Sequence, residues 1–360
     1  MSERELSPAL VIGVGLVGAS VAQALSRAGI AVHVEDKVSS HAQVAASMGA
    51  GTTDAPDPQA VRLVVVAVPP DALGGVVAMA LRTYPNATVT DVGSVKGTVL
   101  AELRDSGLDL SRYVGSHPMA GSQKVGPLTA TPDLFIDRTW VVTPHDTSAA
   151  HAVLDVSEVA RLCGARLVSM GAAHHDEAVA QVSHLPHLVS VLMAGRLTEV
   201  PPEHLRLAGQ GLRDVTRIAG SDPQLWRQII GANAVAVRHE LAALRDDLDD
   251  LIGTLDEHAD LVPTLQRGLD GTRALPGKHG LAAVSYAQVV VEIPDAPGAL
   301  GRLFRDIEAA GVNVEDLSIE HDLQAERGWL SVQVAPQRAP ELTEVLTGSG
   351  WTVRDHDPQA

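Results

Sequence analysis

The chain has 360 residues and a formal charge of −17, from 44 acidic and 27 basic residues, with two Phe, three Tyr and four Trp. A chain this acidic and poor in aromatics lacks the basic face and the stacking rings that nucleic acids require, although a local cluster of cations can still hold a small anion. Length predicts two or three domains, and a hydrophobic content of 45% is enough for sizeable cores built mainly of Ala, Val and Leu.

The single cysteine, Cys163, cannot form an intrachain disulfide, and no CxxC or Cys/His grouping implies structural zinc. The start, MSERELSPAL, has no basic segment followed by an apolar signal core, and no uninterrupted apolar run approaches a membrane span. A soluble, cytoplasmic protein with no membrane partner is expected.

In chain order, residues 1–171 alternate β-branched runs with helical stretches. The strands read as ALVIGVG, AVHVED, VRLVVVAVP, ATVTDVGS, TWVVTP and ARLVSMG. Several are apolar throughout, as parallel strands covered on both faces should be, so the alternation predicts a doubly wound, Rossmann-type α/β domain. Residues 172–265 change to helical periodicity, with a break at Pro186 that predicts a kinked helix or two abutting ones. Such a segment can bury its apolar stripes against a second copy of itself, giving a homodimer, or form a self-contained bundle. Residues 266–282, rich in Gly and basic residues, read as a linker. Residues 283–360 read as strand, helix, strand, strand, helix, strand, the split βαβ order of a small ferredoxin-like α+β domain.

GVGLVGAS at 13–20 follows the first strand and opens a helix. Gly13 permits the tight turn, Gly15 lets backbone approach a pyrophosphate, and Gly18 allows close helix–strand packing, with Leu16 and Val17 in the helix's first turn. A helix N-terminus there favours anions. Asp36, eighteen positions after Gly18, suits both ribose hydroxyls and would repel a 2′-phosphate, which favours NAD over NADP. Glu35 can take that role instead. AVPP at 67–70 ends the third strand, and Val68 and Pro69 either contact the adenosine half or simply stop the strand.

TDVGSVKG at 90–97 and GSHPMAGS at 115–122 place Gly93, Ser94 and His117 at the reactive edge of such a sheet. Imidazole titrates near about 6.5, which suits a general base, whereas the plainer reading is a histidine capping a turn in a Gly/Pro loop. Ser94 also reads as a helix N-cap ahead of Val95 and Lys96. Arg213 and Arg217, four apart in GLRDVTR, can share a helix face, as can His184 and His187 in SHLPH. The histidine pair has no clear third ligand, so no metal is expected.

Through GVGLVGAS, TDVGSVKG, GSHPMAGS, SHLPH and GLRDVTRIAGSDPQLW the chain resembles the prephenate and arogenate dehydrogenases of tyrosine biosynthesis over nearly its whole length. The last two motifs are the more specific, because they follow no general dinucleotide-binding rule. The resemblance implies NAD-dependent oxidative decarboxylation of prephenate. Hydride leaves the ring carbinol carbon while carbon dioxide leaves the opposite ring carbon, giving 4-hydroxyphenylpyruvate. It also implies His117 as proton acceptor, with Ser94 orienting the same hydroxyl. Arg217 would take the ring carboxylate through a bidentate fork, and Arg213 the pyruvyl carboxylate across a dimer interface. His184, His187 and Ser183 would be donors to the substrate side chain. His175, Asp214 and Trp226 sit at matching positions as walls, orienters or core packing.

One departure bears on the substrate. The family often places Thr-Glu where this chain has Ser122 and Gln123. A carboxylate there could pair with the ammonium of arogenate, so the neutral Gln123 tilts the reading toward prephenate. IPDAPGALGRLF at 293–304 resembles an ACT domain, with Asp295, Pro297 and Gly298 at the turn where such modules admit an amino acid. Tyrosine as feedback effector is the implied ligand; an interface module without a ligand is the alternative. Within the enzyme reading the alternatives are arogenate dehydrogenase and a dehydrogenase of amino-substituted prephenate in secondary metabolism; against it stands a non-catalytic NAD- and amino-acid-binding sensor. A sensor has no need of Ser94, His117 and Arg217 together.

Overall fold

The computed structural model describes residues 6–121, 126–256, 259–275, 286–322 and 327–354. The chain forms two compact units, Met1–His258 and Ala259–Ala360.

In the first unit, β1 (Ala9–Ile12), β2 (Val32–Glu35), β3 (Leu63–Val66) and β4 (Thr88–Asp91) make a parallel sheet in the order β2-β1-β3-β4. Alternate residues feed two separate cores. Ala9, Val11, Leu63 and Val65 face one, and Leu10, Ile12, Val64 and Val66 face the other. Helices therefore cover both faces, and each fully buried Leu or Val stabilises the domain by about 1.5–3 kcal/mol. The strand ends and the first turns of the following helices then meet along one edge, where ligands bind in such sheets.

A further three-stranded sheet contains β5 (Gly115–Pro118), β6 (Thr139–Thr143) and β7 (Arg166–Ser169). β5 runs antiparallel to β6, and β7 runs parallel to it. A parallel bridge between Val89 and Tyr113 ties this sheet to β4. Two features depart from the sequence expectation. His117 lies in a strand rather than a Gly/Pro loop, because GSHP is recruited by pairing with TWVVT. β7, expected to be covered, is exposed at all four residues.

In the helical region, Ala172–Val179 passes through a π-helical turn, Ala180–His184, into Leu185–Arg196. Pro186 sits in the first turn of the second helix, where its missing N–H is tolerated, and the wide turn before it absorbs the break. Taken together, Ala172–Glu199 is long and apolar enough to cross a membrane by length and composition only, a test that the core helix of a soluble protein also passes, and Asp176, Glu177 and Arg196 interrupt it. It carries His175, Asp176, His184, His187 and Ser190 buried within the unit. Helices Gln210–Thr216, Pro223–Ala232 and Ala234–Asp256 complete the region, and the Asp222 carboxylate caps the second of these by accepting from Gln224 N at 2.9 Å. Val182, Leu192, Leu207 and Val235 are each more than half exposed on its surface.

The second unit begins with a helix, Val262–Ala274, where the Gly-rich composition predicted a linker from 266. The rest of that stretch up to 275 is described, and 276–285 lie outside the described residues. β8 (Ala287–Pro294), β9 (Asp316–Asp322), β10 (Arg327–Val334) and β11 (Val353–Arg354) form an antiparallel sheet in the order β11-β8-β10-β9. Helices Ala299–Ala309 and Ala339–Gly348 follow β8 and β10, which is the split βαβ arrangement. Val289, Val291, Leu303, Leu330 and Leu342 fill its core.

Candidate active site

The glycine loop after β1 is built by close approach. Gly13 has φ +90°, and a Cβ on it would lie 2.5 Å from the Ala67 carbonyl oxygen. A Cβ on Gly18 would lie 1.9 Å from the Gly13 carbonyl oxygen, whereas one on Gly15 would meet nothing within 4 Å. The first two glycines serve packing, and the third leaves open backbone in front of the helix Leu16–Arg27, whose first turn contains Leu16 and Val17. Asp36 accepts hydrogen bonds from Val14 N (2.9 Å, Oδ2) and Val38 N (2.8 Å, Oδ1). It thus braces the loop and keeps further lone pairs for two ribose hydroxyls. Val68 lies beside Gly13, and Pro69 precedes the helix Pro70–Thr83. An open backbone cradle beside a carboxylate fits NAD.

Behind Gly93 and Ser94, buried charges tie β4 to β5. The Lys96 ammonium pairs with Asp91 Oδ1 and donates to Ser116 O at 2.8 Å. The Tyr113 hydroxyl donates to Asp91 Oδ2 at 2.8 Å, and Gly93 N to Asp91 Oδ1 at 2.9 Å. Gly115 must be a glycine, since its Cβ would sit 2.7 Å from Thr143 Oγ1. Burial lowers the Lys96 pKa, opposed by the Asp91 charge. The backbone immediately before His117 is therefore held by a charge-assisted hydrogen bond.

The helix after Ser94 starts at Gly97, and its cap comes from a distant element. Asp176 accepts from Lys96 N at 2.9 Å and from Gly97 N at 2.7 Å, correcting the reading of Ser94 as N-cap. The same Asp176 stands 2.8 Å from His175 Nδ1, and His175 Nε2 stands 2.9 Å from His117 Nδ1. Burial, then the neighbouring His175, Lys96 and His184, hold the His117 pKa well below the ordinary histidine value.

His187 stacks flat on Trp226, with ring centroids 3.5 Å apart and an interplanar angle of 3°, and His184 meets the same indole edge-on at 6.1 Å. Asn233 Nδ2 donates to Asp176 O at 2.8 Å and lies 3.2 Å from His184 Nδ1. Burial pushes His184 down to about 4 and also lowers His187. Ser183 sits in the same π-helical turn as His184. His175, His184, His187 and Trp226, all singled out from sequence, thus gather with His117 around Asp176 and Asn233. Asp91, Lys96, Tyr113, Asp176 and Asn233 were not singled out; the available signal was an acid and a lysine five apart, Asp91 and Lys96, in the strand-to-helix turn TDVGSVKG.

Arg213 and Asp214 are exposed on the helix Gln210–Thr216, with Asp214 accepting from Gln210 Nε2 at 2.9 Å. That helix ends before Arg217, which opens a 3₁₀ turn, Arg217–Gly220, packed on the helix Leu185–Arg196; the two arginines do not share one α-helix. Ser122 and Gln123 lie outside the described residues. In the second unit, Asp295, Pro297 and Gly298 line a cavity of about 400 Å³ with Ile319 and Gly328, and Gly298 has φ +89° at the start of the helix Ala299–Ala309.

Two family models match the chain: the nucleotide-binding domain of prephenate dehydrogenase over residues 21–169, and the prephenate dehydrogenase dimerization domain over 171–268. The chain is 34% identical to "Probable prephenate dehydrogenase NovF" of Streptomyces niveus, covering 95% of this chain and 98% of that protein. Among solved structures it is similar to prephenate dehydrogenase from A. aeolicus in complex with hydroxyphenyl propionate and NAD+, at 28% identity and TM-score 0.67, covering 75% of this chain and 99% of that one. It is also similar to Synechocystis arogenate dehydrogenase, at 26% identity and TM-score 0.63, covering 73% and 96%.

Proposed function

Because this chain belongs to the prephenate dehydrogenase family, we propose that it converts prephenate to 4-hydroxyphenylpyruvate by NAD-dependent oxidative decarboxylation, as a cytoplasmic homodimer. Bound NAD would supply the hydride acceptor for the ring carbinol carbon, with carbon dioxide leaving the opposite carbon as the ring becomes aromatic.

The chain's own residues do the rest. Gly13 and Gly18 pack the loop so that Gly15 admits the pyrophosphate to the helix N-terminus, and Asp36 takes the ribose hydroxyls. His117 removes the hydroxyl proton, and a positioned base of this kind contributes about 10²–10⁴-fold. Ser94 orients the same hydroxyl. Arg217 receives the ring carboxylate, Arg213 the pyruvyl carboxylate, and Ser183, His184 and His187 hold the side chain against the Trp226 wall. The single observation that carries this reading is the half-buried His117, hydrogen-bonded to His175 and held well below the ordinary histidine pKa by its surroundings.

The neutral Gln123 favours prephenate over arogenate, while the likeness to an arogenate dehydrogenase structure keeps arogenate as the second reading. The exposed Val182, Leu192, Leu207 and Val235 suit burial against a second copy. The cavity beside Gly298 supports an ACT-type tyrosine site that feeds back on activity.

The test is NADH production with purified prephenate and arogenate side by side, with and without tyrosine. Prephenate should turn over faster. His117→Asn should lower turnover by about 10²–10⁴-fold while NAD still binds. Full activity in that variant would remove His117 from the base role, and faster turnover of arogenate would reverse the substrate assignment.

A further inference from the structure

We infer that His117, His175 and Asp176 form a proton relay that fixes the tautomer of the base and takes up the proton it removes. The inference rests on His117 being that base.

The argument starts from the carboxylate. Asp176 is held by two backbone donors, Lys96 N and Gly97 N, at the start of the helix Gly97–Asp105, where a negative charge is favoured. A carboxylate accepts only, so the contact at 2.8 Å puts a proton on His175 Nδ1. A neutral His175 then has a lone pair on Nε2. The 2.9 Å contact between that nitrogen and His117 Nδ1 requires His117 to be the donor. His117 therefore carries its hydrogen on Nδ1, which leaves the Nε2 lone pair as its free basic site. With His175 neutral, each assignment follows from the one before, and the chain is anchored at a carboxylate, which can only accept.

The same line of contacts gives the abstracted proton somewhere to go. As the substrate O–H bond breaks, an N–H bond forms at His117 Nε2, and the Nδ1 proton can pass to His175 Nε2. His117 is then neutral again, and the imidazolium sits on His175 against the Asp176 carboxylate. No electrons are exchanged within the relay, and the proton returns to solvent when the product leaves. The arrangement offsets the electrostatic penalty of charging His117, which faces the titratable and charged groups Lys96, His175 and His184, with Asp91 and Asp176 behind them. His175 and Asp176 are positioning residues, since they act through His117.

Three full-length variants test this. In Asp176→Asn the side-chain amide can donate to His175 Nδ1, which reverses both hydrogen bonds and places the proton on His117 Nε2. Turnover should fall by about 10²–10⁴-fold with KM for prephenate changed by less than about threefold. His175→Gln offers a carbonyl to His117 and an amide to Asp176, which keeps the tautomer but cannot take up the proton, and should lose about tenfold, whereas His175→Leu loses both and should drop by about 100-fold or more. A role in packing alone predicts similar losses for Gln and Leu, and this pair decides the matter even if Asp176→Asn fails to fold.

The spectroscopic readout is the His117 tautomer in long-range ¹H–¹⁵N correlation spectra, its signals identified by their loss in His117→Asn. The parent should show Nδ1–H. An Nε2–H signal in the parent, or equal activity of His175→Gln and His175→Leu, overturns the relay. Full activity in His117→Asn would instead overturn the base assignment beneath it, so the two failures are distinguishable.

Discussion

A lysine with 1% of its surface exposed is stable as an ammonium only through what surrounds it, and for Lys96 that is Asp91, Ser116 O and, further off, Asp176. The site uses this charge twice. It fixes the backbone before His117, and it lowers the pKa of that ring together with burial and His175. The sign of the pH dependence follows. As the proposed base, His117 accepts a proton only when neutral, so kcat/KM should fall as pH drops through its pKa, and that limb should lie below the ordinary histidine range. Lys96→Met removes a positive charge and leaves the Asp91 carboxylate behind; both changes raise the His117 pKa and move the acid limb to higher pH. Breaking one partner out of a buried pair should also lower unfolding stability by about 3–5 kcal/mol. A kcat/KM profile carried from about pH 8 to well below the ordinary histidine range, with urea unfolding of both proteins, measures the two effects, and an unmoved limb would show that the Lys96 charge does not reach the proposed base.

At the scale of elements, the glycine loop was legible because everything it needs lies within eight residues: a strand end, a left-handed turn at Gly13 and a helix start at Leu16. The two packing distances sharpen this into a prediction. Gly18→Ala drives a Cβ against the Gly13 carbonyl, so thermal unfolding should fall and NADH affinity drop by about tenfold or more, equivalent to about 1.4 kcal/mol. Gly15→Ala meets no protein atom and should leave thermal unfolding unchanged while weakening NADH binding alone. Fluorescence titration with NADH beside thermal melts separates them, and equal melting losses would mean that both glycines serve the fold.

β5 and the Asp176 cap were not legible in the same way. GSHP has little strand propensity of its own and becomes a strand only because TWVVT lies beside it. Asp176 caps a helix that starts 79 residues earlier in the chain, a pairing that no local pattern encodes. The helix Val262–Ala274 was hidden by Gly268 and Gly271, which lower helix propensity without forbidding it, while Pro263 falls in the first turn, where proline is tolerated.

For the whole molecule, the division after His258 separates a unit holding every residue of the candidate active site from one holding the Gly298 cavity. Each has its own core. The family match ends at residue 268, and the A. aeolicus enzyme structure is covered almost completely by 75% of this chain. Catalysis should therefore not need the second sheet. Deleting residues 283–360 should leave kcat/KM for prephenate within about twofold and abolish inhibition by tyrosine, since a ligand that acts through a distinct site loses its effect with that site. The measurement is initial NADH production over a tyrosine titration for full-length and shortened chains. Tyrosine carries the same hydroxyphenyl ring as the proposed product, so it has a second way to inhibit. If inhibition survives the deletion and is competitive with prephenate, tyrosine binds beside His117 and the cavity at Gly298 serves another purpose.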